Sequence, residues 1–383
     1  MILDIDALSE LFTFGFVIGN KTLSAEHKLP LPEIPYEIRR RHTNWEDVYE
    51  ALEESVIKCC QESKNPILLL SGGMDSRLIA AIAVKNRLDI KTLTFGWVAK
   101  ERRIASKVAS VLGLPNQCFG VKSDLYKSFI DIDCMKQLVR NSCGTINVMF
   151  LGLSSYHRLL QLRSRRSTFI SGASGTEIWA DPVIGKFGSV RQFVQLFLKI
   201  KYRFPTIQVK YVKLAARNLE DFCQDLDFRT LFFEAYMKPR LRSDPNRDIK
   251  LPIVDSQVLT ETFSLPIAQR RDKLIDRLIL KHEFPRLYKV PDVRPLSSWN
   301  GLILKGTTWI RRRLGLPRND AVDRDIIARK TPSLKPYIQL SIPSISSRRL
   351  LENTIHSFYV RKLNISSSLF RFLTYSLFQQ VFD

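Results

Sequence analysis

The densest chemical signal in the chain is the run Leu70-Ser71-Gly72-Gly73-Met74-Asp75-Ser76-Arg77. Two adjacent glycines let the backbone bend tightly and come close to a ligand. Where such a run joins a strand to a helix, the N–H groups of the turn and of the first helical turn converge on one spot. That spot favours phosphate. Ser71 and Ser76 can add hydroxyl donors. Asp75 is the odd member, because a carboxylate repels phosphate unless a cation lies between them. Magnesium is the natural bridge. The Walker pattern G-x-x-x-x-G-K-[ST] is absent. The cysteines at 59, 60, 118, 134, 143 and 223 form no C-x-x-C pair, and the histidines at 27, 42, 157, 282 and 356 show no metal spacing.

The elements around this run fit that chemistry. Asn44 can cap a helix whose apolar positions Val48, Leu52, Val56 and Ile57 recur at helical spacing. Ile67-Leu68-Leu69-Leu70, bounded by Pro66 and Ser71, reads as a strand buried on both faces. A helix is expected over 76–87, a strand over 91–95, a helix over 100–112 and a strand over 117–121. Helical periodicity returns at 123–140 and 147–163, before a strand at 168–170. This alternation predicts an α/β fold: a doubly wound parallel sheet, with the loop at its carboxyl edge. Beyond Asp181 no strand is expected. Segments 188–203, 207–223, 227–237, 256–263 and 268–283 read as a helical C-terminal lobe. The expected organisation is a short N-terminal segment (1–43), a nucleotide-binding unit (44–187), a helical lobe completing it (188–290) and an irregular basic extension (291–383).

Composition narrows the class. The chain has 383 residues, 45% hydrophobic and 25% charged, which is enough to bury a core and argues against pervasive disorder. No apolar run is long enough to span a membrane. The N-terminal acids of MILDIDALSELF argue against an export signal, so a cytoplasmic location and reduced thiols are expected. Lysine and arginine exceed the acids, 59 − 38 = 21, in short clusters such as Arg39-Arg40-Arg41, Arg163 with Arg165-Arg166, Arg270-Arg271, Arg311-Arg312-Arg313 and Arg348-Arg349. Such clusters are either solvated surface or a face for a polyanion.

The run S-G-G-M-D-S resembles the pyrophosphate loop (PP-loop) of the adenine-nucleotide pyrophosphatase superfamily. Within it the chain most resembles the synthetase domain of asparagine synthetases and their relatives. Leu93-Thr94-Phe95-Gly96 stands where that family has the strand lining the adenine. Glu101, Ala105, Val108, Ala109, Leu112 and Gly113 resemble its following helix. Ser171-Gly172-Ala173-Ser174-Gly175-Thr176-Glu177 stands for S-G-E-G-x-D-E, and Leu251-Pro252-Ile253-Val254-Asp255 for V-P-F-L-D. Lys273-Leu274-Ile275-Asp276-Arg277, ahead of Pro285, resembles K-x-x-L-R ahead of L-P.

The resemblance implies ATP and Mg²⁺ as cofactors and an AMP-forming amide ligase that adenylates a carboxylate, with aspartate the first guess. It implies nucleotide contacts from Leu70, Ser71, Gly72, Gly73, Asp75, Ser76, Thr94, Phe95, Gly96 and Gly172. Asp75 would bind the metal, and Lys273 and Glu177 would be catalytic. Two departures stand out. Ala173 and Thr176 replace acids of the family pattern, and Thr176 is where an aspartate would help to hold magnesium. The front of the chain lacks a cysteine at position 2, where Ile2 stands, so no glutaminase domain is expected. Ammonia would be free or come from a separate subunit, or a substrate amine would serve. The rival readings are a tRNA-modifying PP-loop enzyme, supported by the basic excess, and a non-catalytic nucleotide-binding descendant, supported by Ala173 and Thr176.

Overall fold

The computed structural model describes residues 2–39, 43–95, 99–119, 132–145, 167–173, 175–179, 187–201, 207–242, 249–270, 273–292 and 366–382. The first helix, α1 (Ile5–Phe14), starts where the Asp4 carboxylate accepts from the Ala7 N–H at 2.9 Å. It stops at Gly15, whose φ of 87° is the left-handed conformation that closes helices. Helix α2 (Trp45–Gln61) opens on a capping box, Asn44 and Asp47 each accepting the other's backbone N–H.

Strand β1 (Ile67–Leu69) follows, then α3 (Met74–Lys85), β2 (Lys91–Phe95), α4 (Ala99–Leu112), β3 (Asn116–Phe119), α5 (Ile132–Ser142) and β4 (Phe169–Ser171). After the short α6 (Gly175–Trp179) come α7 (Val190–Lys201), α8 (Val209–Cys223) and a π-helical turn at Phe233–Met237 that runs into α9 (Lys238–Arg242). Strand β5 (Ile249–Lys250) precedes α10 (Ser256–Ser264), α11 (Leu274–Glu283), α12 (Pro285–Tyr288) and α13 (Ser366–Phe382).

The five strands form one parallel sheet in the order β3-β2-β1-β4-β5. The chain winds outward from β1 to β3 and then returns to build β4 and β5 on the other side of β1. Residues alternate across the pleat. Leu68, Leu70 and Ile170 enter the main core, whereas Ile67, Leu69, Leu93 and Phe169 form a second buried cluster on the opposite side. β1 is therefore buried on both faces, as its unbroken apolar run predicts. The order reverses between β1 and β4, and in such sheets the crevice beyond the carboxyl ends at that point takes the ligand.

The α/β class and the parallel sheet stand as the sequence predicts, with four corrections. A strand does occur beyond Asp181. β5 is two residues long and joins only the edge, so it leaves no periodic pattern. The expected helix 76–87 begins at Met74, because Gly73 rather than Ser76 occupies the N-cap. The expected continuous helix 268–283 breaks into a 3₁₀ turn at Ile267–Arg270 and α11, with Lys273 between them in the left-handed region. The C-terminal stretch, read as irregular, ends in the 17-residue helix α13.

Leu373, Tyr375, Leu377 and Phe378 of α13 join the same core as Leu8, Leu11 and Phe12 of α1. The buried Arg371 donates from Nη1 to the carbonyls of Phe12 and Thr13, at the end of α1, where a cation suits the helix dipole. Arg270 departs from its surface reading as well. It is 2% exposed, donates to the Arg229 carbonyl at 2.8 Å and stacks over the Phe263 ring. The expected helix 147–163 and most other basic clusters lie outside the described residues. Among the described residues no helix is long and apolar enough to cross a membrane.

Candidate functional site

The loop between β1 and α3 is tied to the sheet on one side and closed on itself on the other. The Leu70 N–H donates to the Leu93 carbonyl at 2.9 Å, and the Leu70 carbonyl accepts from the Thr94 hydroxyl at 2.9 Å. Thr94 is buried, its hydroxyl between the Leu70 carbonyl and Asn116 Oδ1 at 3.0 Å, so it holds the start of the loop against β2. Within the loop the Ser76 hydroxyl accepts from the Ser71 N–H at 3.0 Å and lies 2.9 Å from the Ser71 hydroxyl. That hydroxyl in turn accepts from the Gly73 N–H at 3.2 Å. Gly73 caps α3 with no side chain. The amino end of a 12-residue helix therefore meets the crevice uncapped, as an anion-binding helix end requires.

The loop after β4 packs directly against this helix end. A Cβ at Gly172 would stand 2.7 Å from the Ser76 nitrogen and 3.0 Å from the Asp75 carbonyl carbon. One at Gly175 would stand 2.5 Å from Asp75 Oδ1. Only glycine permits either approach. The two glycines thus press the carboxyl end of β4 onto the first turn of α3. Glu177 lies in α6 just beyond Gly175, at the same end of the sheet. Its side chain, Ser174 and Gly96 lie outside the described residues, as does the side chain of Phe95, at the end of β2.

Asp75 is not a partly exposed loop carboxylate. It sits in the first turn of α3 and is 9% exposed. Lys273 Nζ donates to both its oxygens, at 2.8 and 3.0 Å, across 198 residues of sequence. Lys273 adopts φ 59° and ψ 35°, a left-handed conformation unfavourable for a side chain with a Cβ, at a cost on the order of 1 kcal/mol. It is therefore the N-cap of α11 rather than an interior residue of a helix over 268–283, which corrects the sequence reading. Burial pushes the Lys273 ammonium down. The Asp276 and Asp75 carboxylates, with Asp292, outweigh it and hold the ammonium above its ordinary value.

Two further residues complete the cluster, and local sequence patterns gave neither a role. Arg77 is 1% exposed. Its Nη1 donates to the carbonyls of Leu287 and Val290, and its Nη2 to those of Pro291 and Gly72. It thereby fastens the loop to the segment after α11. A guanidinium among Leu78, Ile79 and Ala80, in the buried stretch of a helix, was the available signal. Asp276 is fully buried, and no donor group hydrogen-bonds to either carboxyl oxygen. Burial and the facing Asp75 carboxylate raise its pKa well above the usual range. Two facing carboxyls are both acceptors when ionised, and the proton that Asp276 retains gives it a hydrogen bond to Asp75.

Among the described residues no group of three His, Cys, Asp or Glu side chains has metal-ligating geometry. Magnesium needs fewer, because it binds one or two carboxylates and completes its shell with phosphate oxygens and water. Asp75, beside a helix end suited to phosphate, and the buried oxygens of Asp276 are hard donors of the right kind. The residues present fit the ion.

Residues 47–153 match the family model for asparagine synthase. That span contains α2, the loop and its flanking strands, whereas β4, Lys273 and Asp276 lie beyond it. A 7-cyano-7-deazaguanine synthase of Methanococcus vannielii is 33% identical over 86 residues, covering 21% of this chain and 32% of that protein. The chain thus spans about a third of the length of that relative. Among solved structures, an NMN synthetase from Francisella tularensis aligns with 53% of this chain and 94% of its own at 13% identity and a TM-score of 0.25.

Proposed function

We propose that the chain is an ATP-dependent, AMP-forming carboxylate–amine ligase of asparagine synthetase type. One observation carries this reading. A two-glycine, two-serine loop lies between a central parallel strand and a bare helix end, with a lysine from a remote helix on its aspartate. The asparagine synthase match over 47–153 supports it.

In this reading a substrate carboxylate attacks the α-phosphate of ATP. Pyrophosphate leaves into the loop, held by the N–H groups at the start of α3 and by the Ser71 and Ser76 hydroxyls. Magnesium, bound through Asp75, would neutralise phosphate charge. A nitrogen nucleophile, either ammonia or an amine, then displaces AMP to give an amide. Splitting the reaction in this way replaces one difficult step by two easier ones. Lys273 would stabilise the charge developing in the second step, and Glu177 is assigned to the same cleft. Leu70, Gly72, Gly73, Thr94, Phe95, Gly96 and Gly172 shape the nucleotide site. Aspartate is the first carboxylate to test. The missing acids at Ala173 and Thr176 put small-molecule or peptide carboxylates of other kinds close behind it.

The test is pyrophosphate release from ATP and Mg²⁺ across a panel of carboxylates with ammonia. Release that depends on one carboxylate supports the ligase. Nucleotide binding with no release for any carboxylate favours the non-catalytic reading. The net charge of +21 favours a second reading, a nucleic-acid substrate such as tRNA. Binding of tRNA that weakens steeply with salt and is coupled to pyrophosphate release would support that reading.

A further inference from the structure

Resting on the nucleotide-site reading above, we propose that Asp276 is the second protein carboxylate of the divalent-cation site, joining Asp75 from α11. The chain carries Thr176 and Ala173 where the asparagine synthetase pattern it resembles has acids. A magnesium ion held only by Asp75 and phosphates would have a single protein ligand. A carboxylate is instead supplied from α11. The pattern K-x-x-L-R has leucine where this chain has Asp276.

Asp276 has no structural task that accounts for it. It is fully buried, and the only group it can hydrogen-bond is the Asp75 carboxyl it faces, through a shared proton. A buried carboxyl without a donor group costs stability, and leucine would fill the same space without that cost. Two buried carboxyls that face each other need a shared proton or a cation, and a cation satisfies both when they are ionised. The Lys273 ammonium already occupies part of that role, on both oxygens of Asp75 and close enough to Asp276 to be held charged by it. The ammonium and a divalent cation therefore compete for the Asp75 oxygens, and Asp276 is the group that favours a second cation in the same place.

The experiment uses Mn²⁺ as the probe, read by electron paramagnetic resonance on the full chain. It is titrated with α,β-methylene-ATP, from which pyrophosphate cannot leave. Wild type is compared with Asp276→Asn, Asp276→Leu and Asp75→Asn. The expected result is a Mn²⁺ affinity at least about tenfold weaker in both Asp276 variants, with a urea unfolding midpoint no lower than wild type's. Wild-type Mn²⁺ affinity in Asp276→Asn overturns the proposal and leaves Asp276 as a buried, proton-sharing carboxyl. It leaves the nucleotide-site reading standing. Unchanged Mn²⁺ binding in Asp75→Asn also overturns it, because the cation then sits elsewhere. A wild-type chain that binds neither nucleotide nor Mn²⁺ removes both the proposal and the reading beneath it.

Discussion

Glu10 and Asp276 are both fully buried carboxyls, and they are treated in opposite ways. Glu10, in α1, accepts from the Ile18 N–H at 2.7 Å, from Asn218 Nδ2 at 2.9 Å and from the Lys21 ammonium. Three donors converge on it, two from the turn that follows α1 and one from α8, and tie these parts together. Asp276 has no donor group on either oxygen and only a second carboxyl facing it, with which it shares a proton. A buried charge with its hydrogen bonds made is a structural tie. One with none is unstable alone and marks a place where something else binds. The same contrast separates the backbones. Glu10 sits within a regular helix, whereas the cluster around Asp276 includes Lys273 in a strained left-handed conformation.

Mutation should break this comparison first at Glu10. Glu10→Ala leaves the Ile18 N–H and the Asn218 amide without their acceptor and opens a cavity, so a loss of about 3 kcal/mol in urea unfolding at pH 5 is expected. A loss below about 0.5 kcal/mol, the scale of an ordinary surface change, would make Glu10 incidental.

The glycines that press the β4 loop onto α3 come next. Gly172→Ala places a Cβ against the backbone of Asp75 and Ser76, which cannot yield as a flexible side chain could. A loss of about 2 kcal/mol is expected, together with weaker nucleotide binding. Thermal unfolding and calorimetric titration check the two parts separately.

The third test is pH. Burial pushes the Glu10 carboxyl from its ordinary 4.5 up to about 6, against the pull of Lys21, the Ile18 N–H and Asn218. A carboxyl raised in this way favours folding while protonated. Its contribution is complete below pH 4.5 and is lost as the pH rises through about 6. At roughly 1.4 kcal/mol per pH unit the change is about 2 kcal/mol. Glu10→Gln has no such titration. Its stability relative to wild type should therefore rise by that amount between pH 4.5 and 7. A parallel pH dependence in the two proteins would contradict the assignment.

The smallest effect should carry the opposite sign. Asp276→Leu removes a buried carboxyl with no donor group and should leave stability unchanged or raise it by about 1 kcal/mol in urea. A clear loss would place Asp276 with Glu10 as a structural group.

Much of the frame was legible locally. The apolar run 67–70 between Pro66 and the glycines announced a strand buried on both faces, and Asn44 announced the start of α2. The loop was legible because its chemistry depends on adjacent residues. The cluster beneath it was not, because Asp75, Arg77, Lys273 and Asp276 meet only through tertiary packing. No local period records that Lys273 takes a left-handed conformation to reach Asp75. Helix α13 escaped for a different reason. Its run of serines and aromatics has weak helical propensity and no polar stripe, so only burial against α1 and α5 reveals it. β5 is too short to show alternation. α1 did carry signals, Asp4 as a cap and Gly15 as a stop, yet its nearly all-round burial blurred the period.

The central claim is that the loop 70–76 receives the phosphates of a nucleotide. Ser71 tests it most directly, because it is exposed at the mouth of the loop and its replacement does not disturb the core. Calorimetric titration with Mg²⁺ and α,β-methylene-ATP should show binding to wild type. Ser71→Asp, which sets a carboxylate beside the phosphate position, should bind at least about tenfold more weakly with unchanged thermal stability, as expected for like charges at close range. Equal affinity in the two proteins would place the phosphates elsewhere and contradict the account.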